Sequence, residues 1–132
     1  MDKVFKHYWR AIIWAAYILL MCSIKLGKVS HLPIFFPGFD KLAHCGFFFV
    51  MVVFLCNGYV KRQPAGKILS YKTLIMFTFA AVVYGGAIEL LQLYFFTWRS
   101  GEWGDLFADF LGASMCVYGT IRNIEALNYV EE

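Results

Sequence analysis

Four apolar runs fill most of this chain, at about 9–24, 42–60, 73–96 and 106–121. A helix needs roughly 20 mostly apolar residues to cross the hydrocarbon core of a bilayer. The runs approach that length, and only short polar connections separate them. Of the 132 residues, 61% are hydrophobic and 16% charged. A soluble domain this small leaves much of its surface in water and has nowhere to hide so much apolar area. Lipid is the solvent that suits such a chain. The expected fold is all-α, a four-transmembrane-helix bundle forming a single domain over residues 1–132.

The first run follows Lys3, Lys6 and Arg10, as the apolar core of a signal peptide would. The residues after it, "KLGKVSHLP", hold no small-x-small cleavage site, so a retained helix is expected. "KVSHLPIFFPG" joins the first two runs and carries Pro33 and Pro37. "KRQPAGKILSYK" joins the second and third. "TWRSGEWG" joins the last two and is short, which favours antiparallel neighbours. Cys22, Cys45, Cys56 and Cys116 lie in apolar runs without a CxxC pair, and read as small buried hydrophobes.

Lysine and arginine set the expected orientation. Lys3, Lys6, Arg10, Lys61, Arg62, Lys67, Lys72 and Arg122 fall on one side, against Lys25, Lys28, Lys41 and Arg99 on the other. The heavier side should be cytoplasmic, which places both termini there, in a multi-pass protein of the cytoplasmic membrane. The net charge of +3 is then a topology signal. No basic soluble domain carries it, and nucleic-acid binding is not expected.

This topology gathers the odd residues. Asp40, Lys41 and His44 open the second helix. Glu89, Gln92 and Arg99 close the third. Asp105 and Asp109 open the fourth. All come to the outer end of the bundle. Asp40/His44 and Asp105/Asp109 are spaced i, i+4, and Glu89/Gln92 i, i+3, so each pair shares a helix face. Gly85 and Gly112 lie near those faces and would let helices approach closely. Ionisable groups inside a membrane are expensive and generally face a cavity or each other.

Blander readings exist for several of them. Asp40 follows "PG" and Asp105 follows Gly104, so each could be a helix N-cap. Lys41 and Arg99 could be interfacial anchors, and Gln92 an interhelical hydrogen bond. His44, Glu89 and Asp109 sit too deep for caps; their bland reading is a structural network joining helices. Trp98 and Trp103 read as belt residues at the water interface.

At these same residues the chain resembles the VanZ-like family of small bacterial membrane proteins. The resemblance rests on "DKLAH" (Asp40 to His44), "YGGAIELLQ" (Tyr84 to Gln92), Arg99, Asp105 and "ADFLGA" (Ala108 to Ala113), in that order. It covers about residues 40–119. It departs at Asp109, where the family commonly has Asn, a residue suited to hydrogen bonding or ligand contact and not to proton exchange. The resemblance implies an integral protein of the bacterial envelope. The family's name-giving member is linked to reduced sensitivity to the lipoglycopeptide teicoplanin.

One functional reading is a site that binds or modifies an anionic lipid headgroup or a cell-wall lipid intermediate. Lys41 and Arg99 would hold phosphate, with Asp40, Gln92 and Asp109 completing the contacts. For a reaction, His44 with Glu89 or Asp105 would supply the acid–base pair. The partners implied are membrane lipids and a lipid-linked or glycopeptide ligand. The alternative is a non-enzymatic membrane protein whose polar cluster only holds the helices together or contacts an envelope partner. Divalent metal binding by His44, Glu89, Asp105 and Asp109 has suitable donors but no recognisable ligand spacing, so no metal or other cofactor is assigned. Proton-coupled transport along intramembrane acids would require an oligomer, because four helices leave little room for a channel.

Overall fold

The computed structural model describes residues 3–24, 33, 36–64, 69–96 and 101–131, with side chains from residue 4 to residue 124. It contains four helices and, among the described residues, no strand: α1 (Lys3–Ser23), α2 (Phe39–Arg62), α3 (Tyr71–Phe95) and α4 (Trp103–Glu131). Each occupies one of the expected runs. Most extend past the apolar limits read from the sequence, because backbone hydrogen bonding continues into polar flanks that hydropathy does not count.

Local chemistry sets the ends. Gly38 precedes α2 with a φ of 90°, a left-handed conformation that glycine adopts without penalty from a Cβ. Asp40 is therefore not the cap of α2; it lies inside the first turn, as Asp105 does in α4. Both carboxylates still face the positive end of their helix dipoles. Ser70 caps α3, its hydroxyl accepting from the Thr73 N–H at 3.3 Å. Just before α4, the Glu102 N–H donates to Glu89 Oε2 of α3 at 2.9 Å.

Helical periodicity places the core. Buried residues recur as His44, Phe48, Met51, Val52 and Cys56 on α2, and as Leu74, Phe77, Ala81, Gly85, Ile88, Glu89 and Gln92 on α3. On α4 they are Asp105, Ala108, Asp109, Gly112, Ala113 and Cys116. These are stripes at three- and four-residue steps. The polar residues thus sit on the same inward stripe as the apolar core, only nearer one end. α2 packs most extensively on α4; α3 lies on α4, and α1 on α2. Side-chain bonds fasten α1: among them, Trp14 Nε1–H donates to the Phe47 carbonyl at 2.9 Å, and the Tyr84 hydroxyl to the Ala15 carbonyl at 2.6 Å. Cys22, Cys56 and Cys116 are buried free thiols, while Cys45 is half-buried.

The outer faces are apolar. Ile75, Phe79, Leu93, Tyr94 and Phe95 of α3, and Phe107 and Tyr118 of α4, are each more than half exposed. Such broad apolar exposure marks a surface made to be covered. α2 and α3 are long and apolar enough to cross a membrane by length and composition.

The α2–α4 crossing is close because of Gly112. A Cβ there would run into the Cys45 carbonyl oxygen, a backbone atom that cannot rotate away. Gly46 has open space where its Cβ would be. Ala normally favours a helix by about 1 kcal/mol over Gly, but overpacking costs about 1–3 kcal/mol. Gly112→Ala is therefore expected to lower the thermal unfolding midpoint in detergent, and Gly46→Ala to leave it unchanged or raise it.

Candidate functional site

The inward stripes of α2, α3 and α4 bring their polar residues together at one end of the bundle. At about 1.5 Å per residue, His44, Glu89 and Asp109 each lie roughly 8–9 Å inside the nearest end of their helix. His44 and Asp109 are buried, with only 2% and 1% of their surface exposed. Their side chains meet across the α2–α4 interface, His44 Nδ1 to Asp109 Oδ1, at 2.9 Å. With the carboxylate ionised, the imidazole is the donor, and this bond fixes which ring nitrogen carries the proton. Cys22 of α1 also interacts with the ring.

Glu89 approaches from α3. One of its oxygens, Oε2, accepts the Glu102 N–H; the other, Oε1, is buried without a partner. Asp109 Oδ2 is likewise buried and unpartnered. Gly85 makes room for it, since a Cβ at that position would collide with Asp109 Oδ2. Buried polar atoms in proteins nearly always find a partner, so adjacent unpartnered acceptors are a functional signal. Both call for a donor or a cation.

Nearer the end of the bundle lies a more open layer. Lys41 Nζ bridges α2 to the start of α4, 2.9 Å from Glu102 Oε2 and 3.4 Å from Asp105 Oδ1. Asp105 is buried, whereas the Lys41 and Glu102 side chains are about half exposed. Gly104 lets the lysine stem pass, because a Cβ there would lie 2.7 Å from Lys41 Cε. Asp40 is exposed in the same region, with a carboxylate oxygen within 4.8 Å of ligand atoms of His44 and Asp105.

The sequence-derived residues thus divide. Asp40, Lys41, His44, Glu89, Asp105 and Asp109 converge. Gln92 turns toward α1, its Nε2–H donating to the Cys22 carbonyl at 3.0 Å with Oε1 buried and unpartnered. It is an interhelical tie. Arg99 and Trp98 lie outside the described residues. His44 pairs with Asp109, not with the Glu89 or Asp105 expected as its partner for acid–base chemistry. An orienting carboxylate on Nδ1 leaves Nε2 as the nitrogen available to a ligand. Glu102 and Cys22 were missed. Glu102 sits in the connection, away from the helix faces where the polar residues were sought, and Cys22 read as a buried hydrophobe.

Beside the cluster, between α3 and α4, runs a groove of about 540 Å³. Its walls include Val83, Ala87, Leu90, Leu93 and Leu106, and Glu89 and Glu102 also line it. A second apolar groove of about 380 Å³, with Ile75, Phe79, Val82, Phe110 and Val117 in its walls, lies farther along the same two helices. No protein-family model, curated protein or solved structure matches the chain.

The two layers should respond differently to substitution. Glu102→Gln breaks a solvated ion pair with Lys41 and should leave the unfolding midpoint close to that of the parent. Asp109→Leu strands the buried imidazole N–H, at a cost of about 1–3 kcal/mol. Asp109→Asn keeps an oxygen for it and should lose less. Thermal unfolding of the three variants in detergent orders them.

Proposed function

We propose that this chain is a VanZ-like multi-pass protein of the bacterial cytoplasmic membrane. All four helices cross the bilayer, with both termini cytoplasmic. The cluster formed by α2, α3 and α4 lies at the outer-leaflet end and binds or modifies an anionic lipid headgroup or cell-wall lipid intermediate. α1, with 21 residues, and α4, with 29, have the length for a crossing, since about 20 residues suffice. The charge bias of the connections supports the orientation.

The observation that carries the lipid reading is the groove. A mostly apolar slot between α3 and α4 carries two acidic residues, Glu89 and Glu102, in its lining. That is the outline of an amphiphile, an acyl chain along the helices and a polar head at the cluster. Binding sites are commonly apolar clefts with a few convergent polar groups. Lys41 stands at the mouth as a donor for a phosphate oxygen. His44, held by Asp109, is the group placed for proton transfer. A link to glycopeptide sensitivity would follow if the head belongs to a cell-wall intermediate.

A second reading is favoured by Gln92 and Tyr84, whose bonds to α1 carbonyls make them structural. On that reading the whole cluster only joins helices, and Glu89→Ala abolishes the folded protein.

Native mass spectrometry of protein incubated with phosphatidylglycerol separates the readings. Ala87→Trp fills the groove, and Glu89→Gln alters its acidic lining with little change of shape. The lipid reading expects a retained phosphatidylglycerol adduct in the parent and its loss in both folded variants. Equal adducts in all three, or none in the parent, would contradict it.

A further inference from the structure

The charge balance of the deep layer raises a difficulty for an anionic ligand. Glu89, Asp109 and His44 bring two carboxylates and an imidazole within 4.8 Å of one another. Lys41 is engaged with Glu102 and Asp105 in the outer layer. A phosphate placed against Glu89 and Asp109 would meet acceptors, and like charges repel strongly where water is scarce.

We propose that His44, Glu89 and Asp109 hold a divalent transition cation, Zn²⁺ or Mn²⁺, between α2, α3 and α4. One ligand atom from each residue lies within 4.8 Å of the others. Metal–nitrogen and metal–oxygen bonds of about 2.0–2.2 Å place neighbouring ligand atoms about 3–3.5 Å apart, so side-chain rotation over a short distance closes the set. The second, independent observation is the pair of unpartnered oxygens, Glu89 Oε1 and Asp109 Oδ2. Glu89 is 9% exposed and Asp109 1%, so neither is satisfied by bulk water as a surface acid would be.

The donor set selects the metal. Imidazole with carboxylates suits Zn²⁺ or Mn²⁺, whereas Mg²⁺ and Ca²⁺ prefer oxygen alone. A neighbouring group of Asp40, His44 and Asp105 has similar spacing. It is the poorer site, because Asp105 already has Lys41 as a counter-charge and Asp40 is exposed. Glycine allows the close approach: Gly85 leaves space for the Asp109 carboxylate, and Gly101 lies against the Glu89 carbonyl. Three protein ligands leave a coordination position open. A bound cation reverses the local charge and offers that position to a phosphate oxygen. This last step rests on the lipid reading above; the cation itself rests on the three side chains.

The test uses the full chain in detergent, stripped with chelator and equilibrated with ZnCl₂ or MnCl₂. Metal is counted by elemental mass spectrometry after dialysis. The parent and Glu102→Gln, which alters an exposed acid, are expected to bind about one equivalent. Glu89→Gln and Asp109→Asn, checked for folding by thermal unfolding, should bind at least ~10–100-fold more weakly, the loss that follows removal of even an outer partner of a metal ligand. Substoichiometric binding by the parent, or equal binding by all variants, overturns the proposal. X-ray absorption on the zinc-loaded parent needs no variant. A shell of imidazole nitrogen and carboxylate oxygen supports the site, and a sulfur-containing or all-water shell overturns it. Metal binding that persists in Ala87→Trp while phosphatidylglycerol is lost supports the cation and separates it from the lipid groove. Phosphatidylglycerol retained by a parent that binds no metal leaves the lipid reading standing without the cation.

Discussion

The hydrogen bond between His44 and Asp109 is the interaction around which the polar end of the bundle is arranged. It joins α2 to α4, the most extensive helix pair, at a point where both side chains are buried. Two polar groups taken out of water cost free energy unless they find each other. Their pairing therefore demands a fixed register between the helices. Gly112 allows the backbones to approach at that register, and Gly85 lets α3 close over Asp109. The remaining parts of the cluster follow. Glu89 arrives from α3 and accepts the Glu102 N–H, and Lys41 spans the outer layer.

The same residues were partly legible as sequence. His44, Glu89 and Asp109 could be placed at one depth because antiparallel order is implied by short connections and a helix rises about 1.5 Å per residue. Their i, i+3 and i, i+4 companions marked the inward faces. Which residue would pair with which was not legible, since rotation about each helix axis depends on packing that a single helix does not record. Hence His44 met Asp109 and not Glu89 or Asp105. Gln92 shares the inward stripe of Glu89, yet its three-residue offset turns it to α1 and the Cys22 carbonyl. Asp40 and Asp105 looked like caps because glycine precedes each, but in α2 the glycine itself occupies the cap, and in α4 the helix begins two residues before Asp105.

An apolar chain that buries several acids pays for them only if they act together. The structural and functional readings agree on that physics and differ on what completes the cluster. The ties made by Trp14 and Tyr84 are complete in themselves, each a donor on a backbone carbonyl of a neighbouring helix, and Gln92 makes a bond of the same kind while leaving its Oε1 unpartnered. The His44–Glu89–Asp109 layer differs in that its unpartnered acceptors are carboxylate oxygens of two acids close together. Glu89 of this layer also lines the apolar groove, which is why the lipid and the cation are both proposed as its complement.

The most direct measurement is a double-mutant cycle on His44→Ala and Asp109→Ala, read as unfolding free energy in detergent. A shared buried pair predicts strong non-additivity, with a coupling of about 1–3 kcal/mol. Single losses that add to the double-variant value within about 0.5 kcal/mol would mean that the two side chains do not share an interior, and would contradict the arrangement of α2 against α4 on which the site depends.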